Sequence, residues 1–537
     1  MRSSDLALVA LVLIVVALCV GSVRMDSATS DEPAHIANGV IKVSERWLNF
    51  FREQPPLMNS LSGAPLVMAG YRMPPSWKGG NHWVAGRRFL YYSGYDAYRI
   101  LFLARLPTIA LFAALCIIVY WFVLQQTASR AWALAAAALT GFCPNLMAHG
   151  RLATVDLALT FFAFSATVLL FRVLDRPTTL NAILLGITTV AAPMSKISGV
   201  ILAPYFAVVI AMAFAFKTVN DPKRFVRALV IAVMAGLVFF EGFMLAETSS
   251  AYAHAQYPAT PRLLIPFAEF AAEVQTIRAW YSKGNELPQF LLGEFSWKGW
   301  PHYYLVALLL KTPIPAIVLF IAALVIGARK RAFNFLALLL FVALFLIVAA
   351  TGQLALGIRY VLPIYPFIYA AIAIALNGGA PLPSAAGRRA SVAIVLALIA
   401  WHVAENLATY PHYISYFNEL IGSKRNADKF LIDSNLDWGQ DLRRLELWCR
   451  ANGVKDITVH YFGGGDVAYE IRSAKPRIRF APGPGLLPKG YFALSRHFYR
   501  LSFFPELWGI DYDTYLAASR AHYVTTIGES IDVHRVE

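Results

Sequence analysis

Apolar residues in this chain gather into long runs, and most polar residues fall in the gaps between them. Read by length and continuity, the runs predict about eleven membrane-spanning helices. These are Leu6–Val23, Arg99–Leu124, Ala131–Ala148, Leu152–Phe171, Leu180–Ser195, Ile197–Phe216, Ala228–Glu247, Tyr303–Ile326, Phe333–Ala350, Tyr360–Leu376 and Ser391–Leu407. The fifth and sixth form a tight apolar hairpin. The pattern then changes. In 408–537, "KFLID" and "DITVHYF" read as short strands, "QDLRRLELWCRANG" between them as an amphipathic helix, and "GYFALSRHFY" and "HYVTTIGESIDVHRV" as further strands. The expected architecture is a polytopic α-helical membrane domain over 1–407, with polar loops at 24–98 and 248–302, and a small α/β domain over 408–537.

Composition agrees with that division. The chain is 58% hydrophobic and 15% charged, where a soluble protein carries closer to a quarter charged residues. The net charge of +15 does not point to nucleic acid, because the basic residues lie in short segments between apolar runs. There they orient a membrane protein. With the amino terminus inside, the inner loops hold Arg130, then Arg172 and Arg176, then Lys217, Lys223, Arg224 and Arg227, then Arg329, Lys330 and Arg331, then Arg388 and Arg389. An odd number of spans places 408–537 outside with the loops at 24–98 and 248–302. This predicts an integral, multi-pass protein of a bacterial inner or plasma membrane. Leu6–Val23 follows Arg2 and could be a signal peptide, but no small-residue cleavage site follows it, so a retained anchor is expected. The four cysteines have no ligand spacing, so neither a disulfide framework nor a zinc site is supported.

Chemistry concentrates in a few places. "DEPAH" puts Asp31 and Glu32 side by side just beyond the first span, with His35 one turn further on. Asp31 can simply cap a helix that begins near Pro33. Alternatively, two neighbouring carboxylates raise each other's proton affinity, which suits one of them to accept a proton from a hydroxyl. Asp156 in "HGRLATVDLALTFF" lies near the outer end of an apolar span, where an ionisable residue marks a candidate functional site. Arg151 precedes it in the same outer turn. Arg359 in "GIRYVLPIYPF" is either an interfacial anchor or a phosphate ligand, since guanidinium presents a fork of donors. Lys311 precedes Pro313 and Pro315 in "LLLKTPIP", where a broken helix can line a cavity. It either compensates phosphate charge or snorkels to the surface. Lys196 in "APMSKISG" poses the same choice, and Glu241 has no assigned role. In "DSNLDWGQDL", Asp433, Asp437 and Asp441 suggest a cation site, but Asp437 with Gln440 also reads as a capping box, and that reading is preferred. "YFGGGD" lacks a full phosphate-loop pattern.

Taken in order along one polytopic chain, several of these motifs match a known family. "DEPAHIANG", "QPPL", "LLGEFSWKGW" with "LLLKTPIP", "GIRYVLPIYPF", "YFNELIGS", "DSNLDWGQDLRRL" and "HYFGGGDVAYEI" make the chain resemble phospholipid carrier-dependent glycosyltransferases. These are GT-C membrane enzymes of the glycosyltransferase family 39 type, related to protein O-mannosyltransferases and aminoarabinose transferases. The resemblance implies a sugar donor linked through phosphate to a polyprenyl or dolichyl lipid. It implies a catalytic carboxylate at Asp31 with Glu32 beside it, a second acidic position at Asp156, and donor-phosphate cations at Arg359 and Lys311. One departure is Gln54, where family members often carry histidine before the two prolines. A metal is therefore neither required nor excluded, and a divalent cation stays an open expectation.

The expected function is inverting transfer of a hexosyl or pentosyl group to an acceptor hydroxyl at the extracytoplasmic membrane face. Asp31, Glu32 and Asp156 are the expected catalytic residues. Arg359, Lys311 and Lys196 are expected on the donor phosphate, with His35 and Arg151 as further substrate-binding candidates. The phosphate ester supplies the energy, so no nucleotide cofactor is expected. The expected partners are the lipid-linked donor, membrane lipids and a glycan, lipid or protein acceptor. A lipid or sugar-lipid transporter is the alternative, though its ionisable residues belong nearer the bilayer midplane. A non-catalytic assembly protein is a third reading; it predicts no effect of substituting Asp31. The particular sugar and acceptor are not written in the sequence.

Overall fold

The computed structural model describes residues 3–47, 54–74, 81–282, 288–330, 332–352, 355–377, 385–478, 487, 489–504 and 512–537. Arg331, assigned above to an inner basic loop, lies outside the described residues. The described residues up to Thr409 are mostly helical. Seven segments are long and apolar enough to cross a membrane: Asp5–Val23, Ala97–Thr127, Asp156–Asp175, Ile197–Ala215, Pro222–Ala246, Phe333–Thr351 and Arg389–Thr409. They belong to helices α1 (Ser3–Val23), α5 (Ala97–Thr127), α8 (Asp156–Asp175), α10 (Leu202–Ala215, with a 3₁₀ turn before it), α11 (Pro222–Ala246), α16 (Phe333–Thr351) and α18 (Ala385–Thr409).

The remaining apolar runs are helical but shorter or broken. Tyr303–Ile326 becomes α14 (Tyr303–Lys311) and α15 (Ile314–Lys330), bent by 116° at a break that contains Pro313. Proline supplies no amide hydrogen to the helix ladder and its ring crowds the preceding turn, so the break follows from its position. Ala131–Ala148 becomes α6 (Arg130–Gly141) and α7 (Pro144–His149), divided before Pro144. Leu180–Ser195 and Tyr360–Leu376 correspond to α9 (Thr179–Ser195) and α17 (Ile364–Leu376), each under 18 residues. Among the described residues, then, the expected runs are all helices, and seven are long and apolar enough to cross a membrane unaided, or eight with the bent pair. Exposed valines and leucines such as Val226, Val230, Val233 and Leu237 on α11 give it the outward apolar face of an integral, multi-pass membrane protein.

Between α1 and α5 lie three shorter helices, α2 (Glu32–Glu45), α3 (Pro56–Met68) and α4 (His82–Tyr92). Helices α2 and α3 cross in backbone contact. A Cβ added at Gly39 would sit 2.0 Å from the Asn59 carbonyl oxygen, and one at Gly63 2.2 Å from the Gly39 carbonyl carbon. Glycine at both positions is what permits the approach.

The C-terminal region carries a five-stranded mixed sheet. Its strands are β3 (Asp456–His460), β4 (Lys475–Ile478), β5 (Gly490–Ser495), β6 (Ala521–Ile527) and β7 (Ile531–Val536), in the order β4-β3-β5-β7-β6; β1 (Gln289–Leu291) and β2 (Glu294–Ser296) form a separate hairpin. β3 pairs parallel with β4 and β5, and β7 pairs antiparallel with β5 and β6. The amphipathic helix α19 (Leu442–Ala451) buries Leu442, Leu445 and Cys449 against this sheet. "KFLID" is not a strand. It runs through 3₁₀ turns and packs Leu431 into the core of the membrane helices, while the Phe430 carbonyl accepts from Leu292 N at 2.9 Å.

Candidate active site

Asp31 stands at the N-cap position of α2, yet its carboxylate caps nothing. Instead Asp31 Oδ2 accepts from Arg359 Nη1 at 2.8 Å, across 328 residues of sequence. The pair is the partly open mouth of a buried cluster, with side chains 21% and 10% exposed. Beneath it, Asp156 opens α8, with Oδ2 3.8 Å from Arg359 Nη1 and Oδ1 2.6 Å from Lys196 Nζ. Lys196 can reach inward because α9 ends at Ser195 and the chain turns through 3₁₀ geometry immediately after it. Two rings shape the cations. Trp438 lies 4.3 Å from the Arg359 guanidinium carbon, and Tyr360 lies 4.2 Å from Lys196 Nζ. Such faces attract a cation electrostatically and supply no competing hydrogen-bond acceptor.

Two carboxylates and two cations therefore converge from four distant segments. Their spare capacity is specific: Arg359 Nε and Asp156 Oδ2 are buried without a hydrogen-bond partner. Unmet donors and acceptors in a buried position are costly, and they identify where a polar ligand would be rewarded. His35 stands one turn along α2, with Nδ1 2.8 Å from Asn59 Oδ1. Burial holds its pKa below the ordinary histidine value, against the pull of Asp31. His149, at the end of α7, is pushed down to about 3 by burial.

Three expected residues are committed elsewhere. Glu32 is fully buried and turned away from Asp31. It accepts from Arg105 at 2.7 and 2.6 Å, from Thr29 N and Ala153 N at 2.9 Å each, and from Thr29 Oγ1 at 3.1 Å. Burial pushes its carboxyl up, but Arg105 and the amide donors outweigh this and hold it below the usual value of 4.5. The mutual elevation expected of adjacent carboxylates is thus absent for Glu32. Lys311 donates to the carbonyls of Ile414 at 2.8 Å and Asn435 at 2.5 Å, with the Phe417 ring 4.5 Å away. Its charge is satisfied by the C-terminal region. Arg151 pairs with Asp26, and Asp26 also accepts from Arg444 at 2.7 Å. The capping box expected at Asp437 and Gln440 does not form. Asp437 accepts from Ser495 and from Gly439 N, Gln440 accepts from Trp438 N, and α19 begins after Asp441, whose side chain does not cap it; the Ser27 hydroxyl accepts from Arg443 N instead, at 2.6 Å.

The sequence reading missed Arg105 and Trp438. Arg105 carried the signal applied to Asp156, an ionisable residue inside an apolar run. Trp438 lay in the quoted "DSNLDWGQDL", but no local pattern ties it to Arg359. Among the described residues, no group of three or more His, Cys, Asp or Glu side chains is placed to hold a metal ion. A cavity of about 730 Å³ lies at the opposite ends of α5 and α8, lined by Gln125, Gln126, Arg172 and Asn334 among others. It is remote from the cluster, because Asp156 and Arg172 are separated by sixteen helical residues, roughly 24 Å at 1.5 Å each.

No family model and no curated protein sequence matches the chain. Solved structures similar to it include the following three. The oligosaccharyltransferase of Archaeoglobus fulgidus in the apo form aligns with 96% of this chain and 73% of its own, at 13% identity and a TM-score of 0.48. ArnT from Cupriavidus metallidurans bound to undecaprenyl phosphate aligns over 100% of this chain and 99% of its own, at 11% identity and a TM-score of 0.48. The Pmt1-Pmt2 protein O-mannosyltransferase complex of S. cerevisiae bound to its sugar donor aligns over 54% and 38%, at 13% identity and 0.35. With identities this low, the functional case stands on the chain's own residues.

Proposed function

We propose that this protein is a GT-C glycosyltransferase that moves a sugar from a polyprenyl-phosphate donor to an acceptor hydroxyl at the extracytoplasmic face. The observation that carries the reading is the 2.8 Å pair of Arg359 and Asp31 at the mouth of a buried site, backed by Asp156 and Lys196. Asp31 removes the acceptor proton, and the resulting oxygen attacks the anomeric carbon opposite the phosphate, inverting it. The glycosidic C–O bond to phosphate breaks, and the electron pair leaves on the lipid phosphate. Arg359, with its unmet Nε–H, and Lys196 stabilise that departing dianion. Fixed cations are worth far more in a dry site than in water. Asp156 holds the two cations together, at 2.6 Å from Lys196 and 3.8 Å from Arg359. Glu32 and Lys311 leave the reacting set and become scaffold. The positive loops at the far end of the bundle support an orientation with the site and 408–537 outside. A transporter does not need a base in contact with a phosphate ligand.

The test uses purified protein in detergent and a panel of polyprenyl-phosphate hexoses and pentoses, scored for release of polyprenyl phosphate. Asp31→Asn is expected to lose on the order of 10²–10⁴-fold in turnover, the usual contribution of a general base, with an unchanged thermal midpoint. Wild-type turnover in that variant would refute the assignment. So would a wild-type protein that moves intact lipid-linked sugar without ever cleaving it.

A further inference from the structure

We infer that the C-terminal loop Asp433–Gln440 and the glycine-rich segment around Gly464 form a two-armed brace that sets the separation of Asp31 and Arg359, with Trp438 positioning the arginine and Gly464 positioning the aspartate. The inference rests on the roles proposed above for those two residues. It assigns the C-terminal domain a part in building the site.

One arm holds the arginine. Asn435 Oδ1 accepts from the backbone N of Ile358, the residue before Arg359, at 2.9 Å. Ser434 Oγ donates to the Leu356 carbonyl at 2.9 Å. The fully buried Trp438 then lies against the guanidinium itself, 4.3 Å from ring centroid to Cζ. The loop is anchored from below as well, because the Asn435 carbonyl accepts from Lys311 Nζ and the Asn435 amide donates to Tyr303 Oη at 2.9 Å. The broken helix α14 therefore supports the brace with the lysine that the sequence assigned to phosphate.

The other arm holds the aspartate. The Trp438 carbonyl accepts from Ser30 N at 2.9 Å, one residue before Asp31, and the Gln440 carbonyl accepts from Ser27 N at 3.0 Å. From the glycine-rich segment after β3, Gly464 packs so closely that a Cβ there would lie 2.4 Å from the Thr29 carbonyl oxygen and 3.0 Å from Pro33 Cδ. Thr29 and Pro33 flank Asp31. A single residue, Trp438, thus touches both arms, the arginine through its ring and the aspartate loop through its carbonyl. Reacting groups lose effectiveness steeply when their spacing is wrong by an ångström, so a brace of this kind acts on rate and affinity without touching the sugar.

The two arms predict different defects in the full-length protein. Trp438→Leu removes the aromatic face and is expected to weaken binding of undecaprenyl phosphate by about tenfold, within the range of a buried cation–ring contact. Trp438→Phe is expected to recover most of that loss. Gly464→Ala presses on Thr29 and Pro33 and is expected to lower turnover by about tenfold or more through displacement of Asp31, while undecaprenyl phosphate binds within about twofold of wild type. Affinity is measured by thermophoresis and turnover by polyprenyl phosphate release, each normalised to folded protein from size-exclusion chromatography. A purely structural role predicts less folded protein with unchanged normalised values, and that result overturns the brace. If Gly464→Ala fails to fold, the Leu and Phe pair at Trp438 decides alone: equal affinities in both and in wild type overturn it. Asp31→Asn, run alongside, separates the two ideas. An active Asp31→Asn removes the functional reading, whereas an inactive one with unaffected Trp438 and Gly464 variants removes only the brace.

Discussion

Adjacent carboxylates with opposite fates offer the sharpest test. Asp31 and Glu32 are neighbours in sequence, but only Asp31 faces Arg359. Glu32 accepts five hydrogen bonds: Oε1 takes Arg105 Nε and Ala153 N, and Oε2 takes Arg105 Nη2, Thr29 N and Thr29 Oγ1. Glu32→Gln turns one of those oxygens into a donor that must face at least two donors. It also removes the nearest counter-charge of Arg105, whose remaining hydrogen bonds go to the carbonyls of Val23, Asp26 and Ser27. Breaking a buried ion pair by removing one partner costs about 3–5 kcal/mol. At about 1 °C per kcal/mol for a chain of this size, the thermal midpoint in detergent should fall by roughly 3–5 °C. Turnover per folded molecule should stay within about threefold of wild type, since Glu32 is placed away from the reacting atoms. Asp31→Asn should show the reverse, a normal midpoint and lost turnover. A Glu32→Gln protein that melts normally but does not turn over would make Glu32 a reacting group and refute the assignment.

Further outcomes follow from the same geometry. Under the proposed role, Lys196→Gln should weaken polyprenyl phosphate binding by about tenfold, the size of one charge-assisted contact, whereas Lys311→Gln should lower the thermal midpoint and leave normalised affinity near wild type. Gly39→Ala forces α2 away from α3 and should destabilise by about 1–3 kcal/mol, read as a lower midpoint that Gly63 substitutions reproduce. Stability should peak at mildly acidic pH. Burial pushes Glu32 and Asp26 up, but their arginines outweigh it and hold both below their usual 4.5 and 3.8, so their contribution is full above those values and is lost as pH falls through the lower folded ones. Asp437 and Glu470 run the other way. Burial lifts each to about 7, so the folded state keeps protons that the unfolded chain has released, and stability declines as pH rises from the ordinary range to about 7. Melting curves across that range check both slopes, and Asp437→Asn should flatten the alkaline one.

Much of this architecture was legible because membrane physics writes it in plain composition. Ionisable residues are expensive inside apolar runs, so Asp156, Lys196 and Arg359 stood out, and the structure gathers them with Asp31. What was not legible depended on partners. Nothing local distinguishes Glu32 from Asp31; the difference is Arg105, 73 residues away. Lys311 looked like a phosphate ligand because its satisfying carbonyls, at Ile414 and Asn435, come from beyond the last span. "KFLID" alternates poorly and buries both faces, which a strand and an irregular connector share. Likewise "DWGQ" reads as a cap until the Ser495 and Trp438 contacts of its polar groups are known.

The 2.8 Å contact ties the proposed base to the proposed phosphate cation. Under those roles, a phosphate that takes up the guanidinium also frees the carboxylate oxygen it holds, so arrival of the lipid prepares the acid for the alcohol. Initial-rate and product-inhibition patterns are then expected to show a sequential mechanism led by the lipid, and a mechanism led by the alcohol would refute that coupling.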